Sequence, residues 1–132
     1  MSDDDVELVQ RWHAGWNEGG LAAVRDLLHP DIEWEEASEM PGGGTHVGRP
    51  AVEAYLQSLV DTVGNFKADV VETAVAGEQV ITVLQVGRSV TASGVPFEFT
   101  VTHIHEIRDG KLASVRVFFD RDQAFAAAGL SP

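Results

Sequence analysis

Hydrophobic positions change their period along this chain. Val6, Val9, His13 and Trp16 fall on one helical stripe, with Leu8 and Trp12 beside it. Ser2 with Asp5 three residues on forms an approximate capping box, and the acidic run Asp3–Asp5 suits a helix N-terminus. Gly19-Gly20 predicts the end of this helix. A short second one, Leu21 to Leu28, is halted at His29-Pro30, because the residue before proline resists the helical region. Asp31 to Glu36 then alternates as a strand, with Ile32, Trp34 and Glu36 on one face and Asp31, Glu33 and Glu35 on the other. Glu36 is thereby the one acid of the segment that turns inward.

The glycine-rich stretch Pro41 to Gly48 lacks the lysine and the strand-to-helix context of a phosphate-binding loop, and reads as a connector. Pro50 suits the first position of a helix whose stripe is Val52, Leu56, Leu59, Val60 and Val63, closed by Gly64. Beyond it, strands are predicted over roughly Phe66–Ala76, Gln79–Ala92, Pro96–Arg108 and Leu112–Asp120. They are joined at Ala76-Gly77-Glu78, Ser93-Gly94 and Asp109-Gly110, turns short enough to demand antiparallel neighbours. Ala124–Ala128 adds a last helical turn. Helices followed by a long meander make an α+β domain. Strands this long must curve, which predicts a cone-shaped antiparallel or mixed sheet, covered by three helices from the N-terminal half and hollow at its open end. The 132 residues form one domain without repeat or linker.

His103-Ile104-His105 breaks the apolar pattern. Phe97, Phe99, Val101, His103, His105 and Ile107 share a face, so two imidazoles stand among large apolar groups. An unpartnered buried polar group costs roughly 1–3 kcal/mol, which leaves the pair three uses: lining a cavity, satisfying one another structurally, or binding a metal. His-x-His on a strand is similar to a cupin metal motif. A third ligand is missing at the spacing of that motif, since only Glu106 follows and it faces the other way; His46 could reach in from the loop. No metal and no cofactor is therefore expected.

Composition narrows the partners. A net charge of −12, with nine Lys and Arg scattered along the chain, offers no basic patch for nucleic acid. No apolar run approaches the roughly 20 residues of a membrane span, and the acidic start is the reverse of a signal peptide. Absence of cysteine excludes disulfides and thiolate chemistry and fits a cytoplasmic protein.

Three local patterns resemble the nuclear transport factor 2-like superfamily, in its SnoaL-like and ketosteroid isomerase-like branch, a fold also called cystatin-like. They are Leu28-His29-Pro30-Asp31-Ile32-Glu33-Trp34 after the helical pair, Gly48-Arg49-Pro50-Ala51-Val52-Glu53-Ala54-Tyr55-Leu56, and Ile107-Arg108-Asp109-Gly110-Lys111-Leu112 running into Val117-Phe118-Phe119-Asp120. The resemblance covers almost the whole chain. It implies a carboxylate general base at Glu36 and an oxyanion partner at His103, with Trp12 where the isomerases carry a tyrosine. Asp120 resembles the last aspartate of the epoxide hydrolases, although Leu84–Arg88 holds no Arg-x-Asp to go with it. The superfamily carries isomerases, cyclases, dehydratases and non-enzymatic binders on one scaffold.

Two functions follow as expectations. One is a cofactor-independent acid/base enzyme of isomerase, cyclase or dehydratase type acting on a small hydrophobic carbonyl compound. Its candidate catalytic residues are Glu36, His103, His105 and Asp120, and Trp12, Trp16, Trp34, Tyr55, Phe99 and Phe119 are its candidate ligand contacts. Asp120 has a second use, capping the last helical turn with Gln123 at the capping-box position. The other function is a non-catalytic binding or dimerisation module. A homodimer is expected across the face bearing Thr100, Thr102, Ile104, Ser114, Arg116 and Phe118.

Overall fold

A computed structural model describes residues 2–40, 42–64, 66–88 and 97–130. The Ser93-Gly94 turn and the side chain of the Ser2 cap lie outside these residues. Helix α1 (Ser2–Gly19) buries Leu8, Val9, Trp12, His13 and Trp16, the stripe its periodicity predicts. Helix α2 is a single turn, Leu21–Val24, followed by a 3-10 turn, Arg25–Leu27. Helix α3 (Arg49–Val63) starts at Pro50 and ends at Gly64, whose φ of 83° suits a residue without Cβ. It buries Val52, Tyr55, Leu56 and Leu59.

Six strands form one sheet in the order β2-β1-β6-β5-β4-β3. They are β1 (Leu28–Glu36), β2 (Gly44–Val47), β3 (Lys67–Ala76), β4 (Gln79–Arg88), β5 (Phe97–Arg108) and β6 (Lys111–Phe118). All neighbours are antiparallel except β1 and β6, which makes the sheet mixed. Asp109 and Gly110 both take positive φ, 57° and 72°, the geometry of a tight turn that follows the twist of its strands. Helix α4 (Arg121–Ala127) closes the described chain.

Three boundaries depart from the sequence reading, one of them that of β6, which ends at Phe118 rather than Asp120. β1 begins at Leu28, where a helix was expected to continue, because Leu28 pairs with Leu112 of β6. Pro30 sits in the stretch where that ladder shifts register, between Leu28 and Glu33, so its missing N–H breaks no regular pairing. The connector also contains a strand. Gly44–Val47 pairs with Glu33–Glu36 along the otherwise open side of β1. Four mostly exposed residues carry no alternation that could announce it.

The main core lies between α1, α3 and the concave face of the sheet, around Val9, Trp12, Leu56, Leu84, Leu112 and Val115. A second cluster occupies the convex face, where Ala124 and Phe125 of α4 cover Ile81, Val83 and Ile104. The chain's own last helix thus covers part of the face expected to meet a second copy. Among the described residues no helix is long and apolar enough to cross a membrane.

Candidate functional site

A cavity of about 60 Å³ opens between the helices and the concave face. Its walls are chiefly apolar and aromatic, with Trp12 and Trp16 from α1, Trp34 from β1, Leu56 and Leu59 from α3, and Phe99 and Val101 from β5. Three ionisable side chains enter it: Glu36 at the end of β1, His13 from α1 and His103 from β5. The space is small, on the order of two waters at roughly 30 Å³ each.

Strand alternation points Glu36 inward, and its side chain is buried. Oε1 accepts hydrogen bonds from the Tyr55 hydroxyl at 2.6 Å and from Trp34 Nε1 at 3.2 Å. Oε2 accepts the Ala37 backbone N–H at 3.1 Å. Burial pushes the Glu36 carboxyl above its ordinary value, and the bonds from Tyr55, Trp34 and Ala37 hold it back. A carboxylate has about four lone-pair positions, so Oε2 keeps room for an incoming proton. Tyr55 is in turn stacked on His46, with ring centroids 4.2 Å apart, and His46 Nε2 donates to the Gly42 carbonyl at 2.9 Å. Burial and the Glu36 charge both push the Tyr55 hydroxyl up, so it stays a donor.

The histidines form a cluster rather than a pair. His103 and His105 project from β5 beside Thr82 and Val80 of β4, and α1 lays His13 against them. Ring centroids are 5.3 Å apart for His13 and His105, 5.6 Å for His103 and His105, and 6.0 Å for His13 and His103. The Thr82 hydroxyl stands 3.1 Å from Nε2 of both His13 and His105. Burial lowers the His13 pKa to about 4; burial with His13 as neighbour lowers that of His103 to about 3. The same causes, and His103 itself, carry His105 well below 6.5. All three rings are neutral at neutral pH. The Trp34 ring meets His103 edge-on at 5.8 Å and donates to Glu36, so one indole spans the space between the acid and the imidazoles.

The predicted site residues separate into three groups. Glu36, His103, Trp12, Trp16, Trp34 and Phe99 line the cavity together. His105 is fully buried behind the cavity wall, and Tyr55 holds Glu36 from outside the lining. Asp120 and Phe119 stay out of it. Asp120 is an exposed N-cap whose Oδ1 accepts from Gln123 N–H at 3.1 Å, because β6 ends at Phe118 and the chain turns there into α4. Phe119 is exposed and stacks on Phe99 at 5.6 Å. Thr82 escaped the sequence reading. Its signal was there, a lone hydroxyl in the inward series Val80, Thr82, Leu84, Val86. His13, a member of the α1 stripe whose place there also allowed a hydrogen bond into the cavity, joins the lining.

A curved mixed sheet, a helical lid and one apolar cavity with a buried acid define a class of small α+β cavity proteins. The sequence pattern of the SnoaL-like domain matches residues 9–115, and the chain belongs to that family. Its architecture is that of the nuclear transport factor 2-like, cystatin-like fold. TerC, crystallised with polyporic acid, superposes with a TM-score of 0.76 at 23% identity, over 95% of this chain and 97% of TerC. A hypothetical protein with a ketosteroid isomerase-like fold from Catenulispora acidiphila, in complex with trimethylamine, gives 0.73 at 19%, over 94% and 93%. A protein described as a SnoaL-like polyketide cyclase from Jannaschia gives 0.71 at 19%, over 98% and 94%. No curated protein matches the chain in sequence.

Proposed function

We propose that the protein is a cofactor-independent acid/base enzyme that moves a proton alpha to the carbonyl of a small, hydrophobic, cyclic compound. The supporting observation is the convergence of Glu36 and His103 on one apolar cavity. Glu36 takes the proton at Oε2 as the C–H bond breaks, and the electron pair passes to the carbonyl oxygen. His103, neutral in this environment, donates an N–H to that oxygen, where the dry walls strengthen the bond. In a β,γ-unsaturated ketone, return of that proton from Glu36 to the γ carbon completes an isomerisation. In a β-hydroxy ketone, transfer of the proton from Glu36 to the β-hydroxyl, which leaves as water as the enolate re-forms the carbonyl, completes a dehydration. Tyr55 and Trp34 position the base. In this reading His105 supports the cluster and Asp120 caps α4 outside the cavity. Aromatic walls suit a flat ligand; the TerC and Catenulispora structures hold small molecules on the same fold.

The test needs no known substrate. In D₂O, a panel of small cyclic ketones and 1,3-diketones is followed by proton NMR for loss of the alpha protons. At least one should exchange faster with protein than in buffer, and Glu36→Gln should slow it by about 10²–10⁴-fold. All three tryptophans of the chain line the cavity, so their fluorescence reports occupancy. Ligands that quench this fluorescence without any exchange would favour the competing binding module.

We also propose a homodimer through the part of the convex face that α4 leaves open, around Thr100 and Arg116, where Arg116 pairs with Glu35 at 3.3 Å; Phe118 of the expected face packs against the α4 cluster instead. Sedimentation at micromolar concentration should give twice the 14.2 kDa of the chain, and a species of 14.2 kDa contradicts it.

A further inference from the structure

One ring nitrogen from each of His13, His103 and His105 lies within 4.8 Å of the other two. The third imidazole, absent at any regular spacing from His103, arrives from α1. Two further features of these side chains suit a ligand. Nδ1 of His103 and Nδ1 of His105 are buried and have no hydrogen-bond partner among the described residues, and His105 is 0% exposed. Thr82 meanwhile sets its hydroxyl against Nε2 of His13 and of His105. A hydroxyl has two lone pairs. It can accept an N–H from both rings and so hold their other nitrogens as lone-pair donors, as the outer partner of a metal-bound histidine does.

We propose that His13, His103 and His105 form a binding site for a divalent first-row transition metal, with Zn²⁺ the best match. Three neutral imidazoles are the ligand set that suits zinc, and three protein ligands leave a fourth position open to solvent or a small molecule. That position faces the cavity, which His13 and His103 line. Zinc–nitrogen bonds of about 2.0–2.1 Å place tetrahedral ligands roughly 3.3 Å apart. The rings must therefore draw together by about 1.5 Å at most, which side-chain rotation supplies. The site goes beyond the acid/base reading and does not rest on it. The acid/base step uses His103 in the metal-free protein; a metal held there takes His103 from the substrate oxygen, so ketone exchange is measured in chelator and should slow when Zn²⁺ is added.

Co²⁺ titrated into the chelator-stripped, full-length protein should give the intense visible bands of a four-coordinate ion, displaced by one Zn²⁺ per chain. His13→Gln and His103→Gln, with circular dichroism confirming the fold, should weaken binding by 100-fold or more. Thr82→Val should keep the bands with 10–100-fold weaker affinity. It also serves as the test if a histidine variant does not fold. Glu36→Gln should leave the Co²⁺ spectrum unchanged while slowing ketone exchange, so the two readings fail separately. The proposal is overturned if wild type shows only octahedral Co²⁺. It is equally overturned if folded histidine variants bind as tightly as wild type, which would place the ion on the acidic surface.

Discussion

Glu36 holds its charge between an apolar wall and three donors, and the balance between them sets its proton affinity. Tyr55 supplies the shortest of the three bonds, at 2.6 Å. Tyr55→Phe should raise the Glu36 pKa further and destabilise the protein by about 1.5–3 kcal/mol, the usual worth of a hydrogen bond to a charged group. Carboxyl-carbon NMR titration of ¹³C-glutamate-labelled protein reads the first effect and denaturant unfolding the second; an unmoved Glu36 resonance contradicts the arrangement. The inward turn of Glu36 was legible because six residues of alternation suffice to fix a face. Its clamp was not. Tyr55 lies at the edge of its helical stripe, and whether its hydroxyl reaches Glu36 depends on how α3 packs over β1. The partners of Thr82 were hidden for the same reason, since they stand 69 and 23 residues away in the chain.

The elements that periodicity defines, α1, α3 and, among the described residues, the four long strands, form within a few residues of where their patterns place them. The elements that escaped are short. β2 exists because β1 has an edge to fill, and α2 yields its last turn because Leu28 has a strand partner. Asp120, which the sequence offers both as a site residue and as a cap, depends on an element boundary. With β6 ending at Phe118, the aspartate becomes the cap of α4. Asp120→Ala should therefore cost about 0.5–2 kcal/mol of stability, seen as a lower thermal midpoint, with ketone exchange unchanged. A selective loss of exchange with no change in midpoint would return Asp120 to the chemistry.

For the whole molecule, the buried imidazoles tie stability to pH. In metal-free protein kept in chelator, the folded pKa values of His13, about 4, and His103, about 3, lie below the 6.5 of the unfolded chain. The unfolded chain then binds protons first, so this stability is fully present above pH 6.5 and lost as the pH falls towards 3. Glu36 has the opposite sign: its raised pKa contributes below 4.5, and that contribution fades as the pH rises through the folded value. The urea midpoint should fall between pH 7 and pH 5, and a midpoint that rises on acidification contradicts the cluster. The cavity itself is a property of the assembled fold, joining a residue from β1 to one from β5, and alternation could place each inward without showing that they meet. Whether they share one ligand is settled most directly by a double-mutant cycle on the ketone exchange rate, with Glu36→Gln, His103→Gln and both together. Groups acting in one step are strongly non-additive, so the double variant should be no slower than Glu36→Gln by more than a few-fold. Losses that multiply, or a His103→Gln rate equal to wild type, would contradict a shared proton transfer.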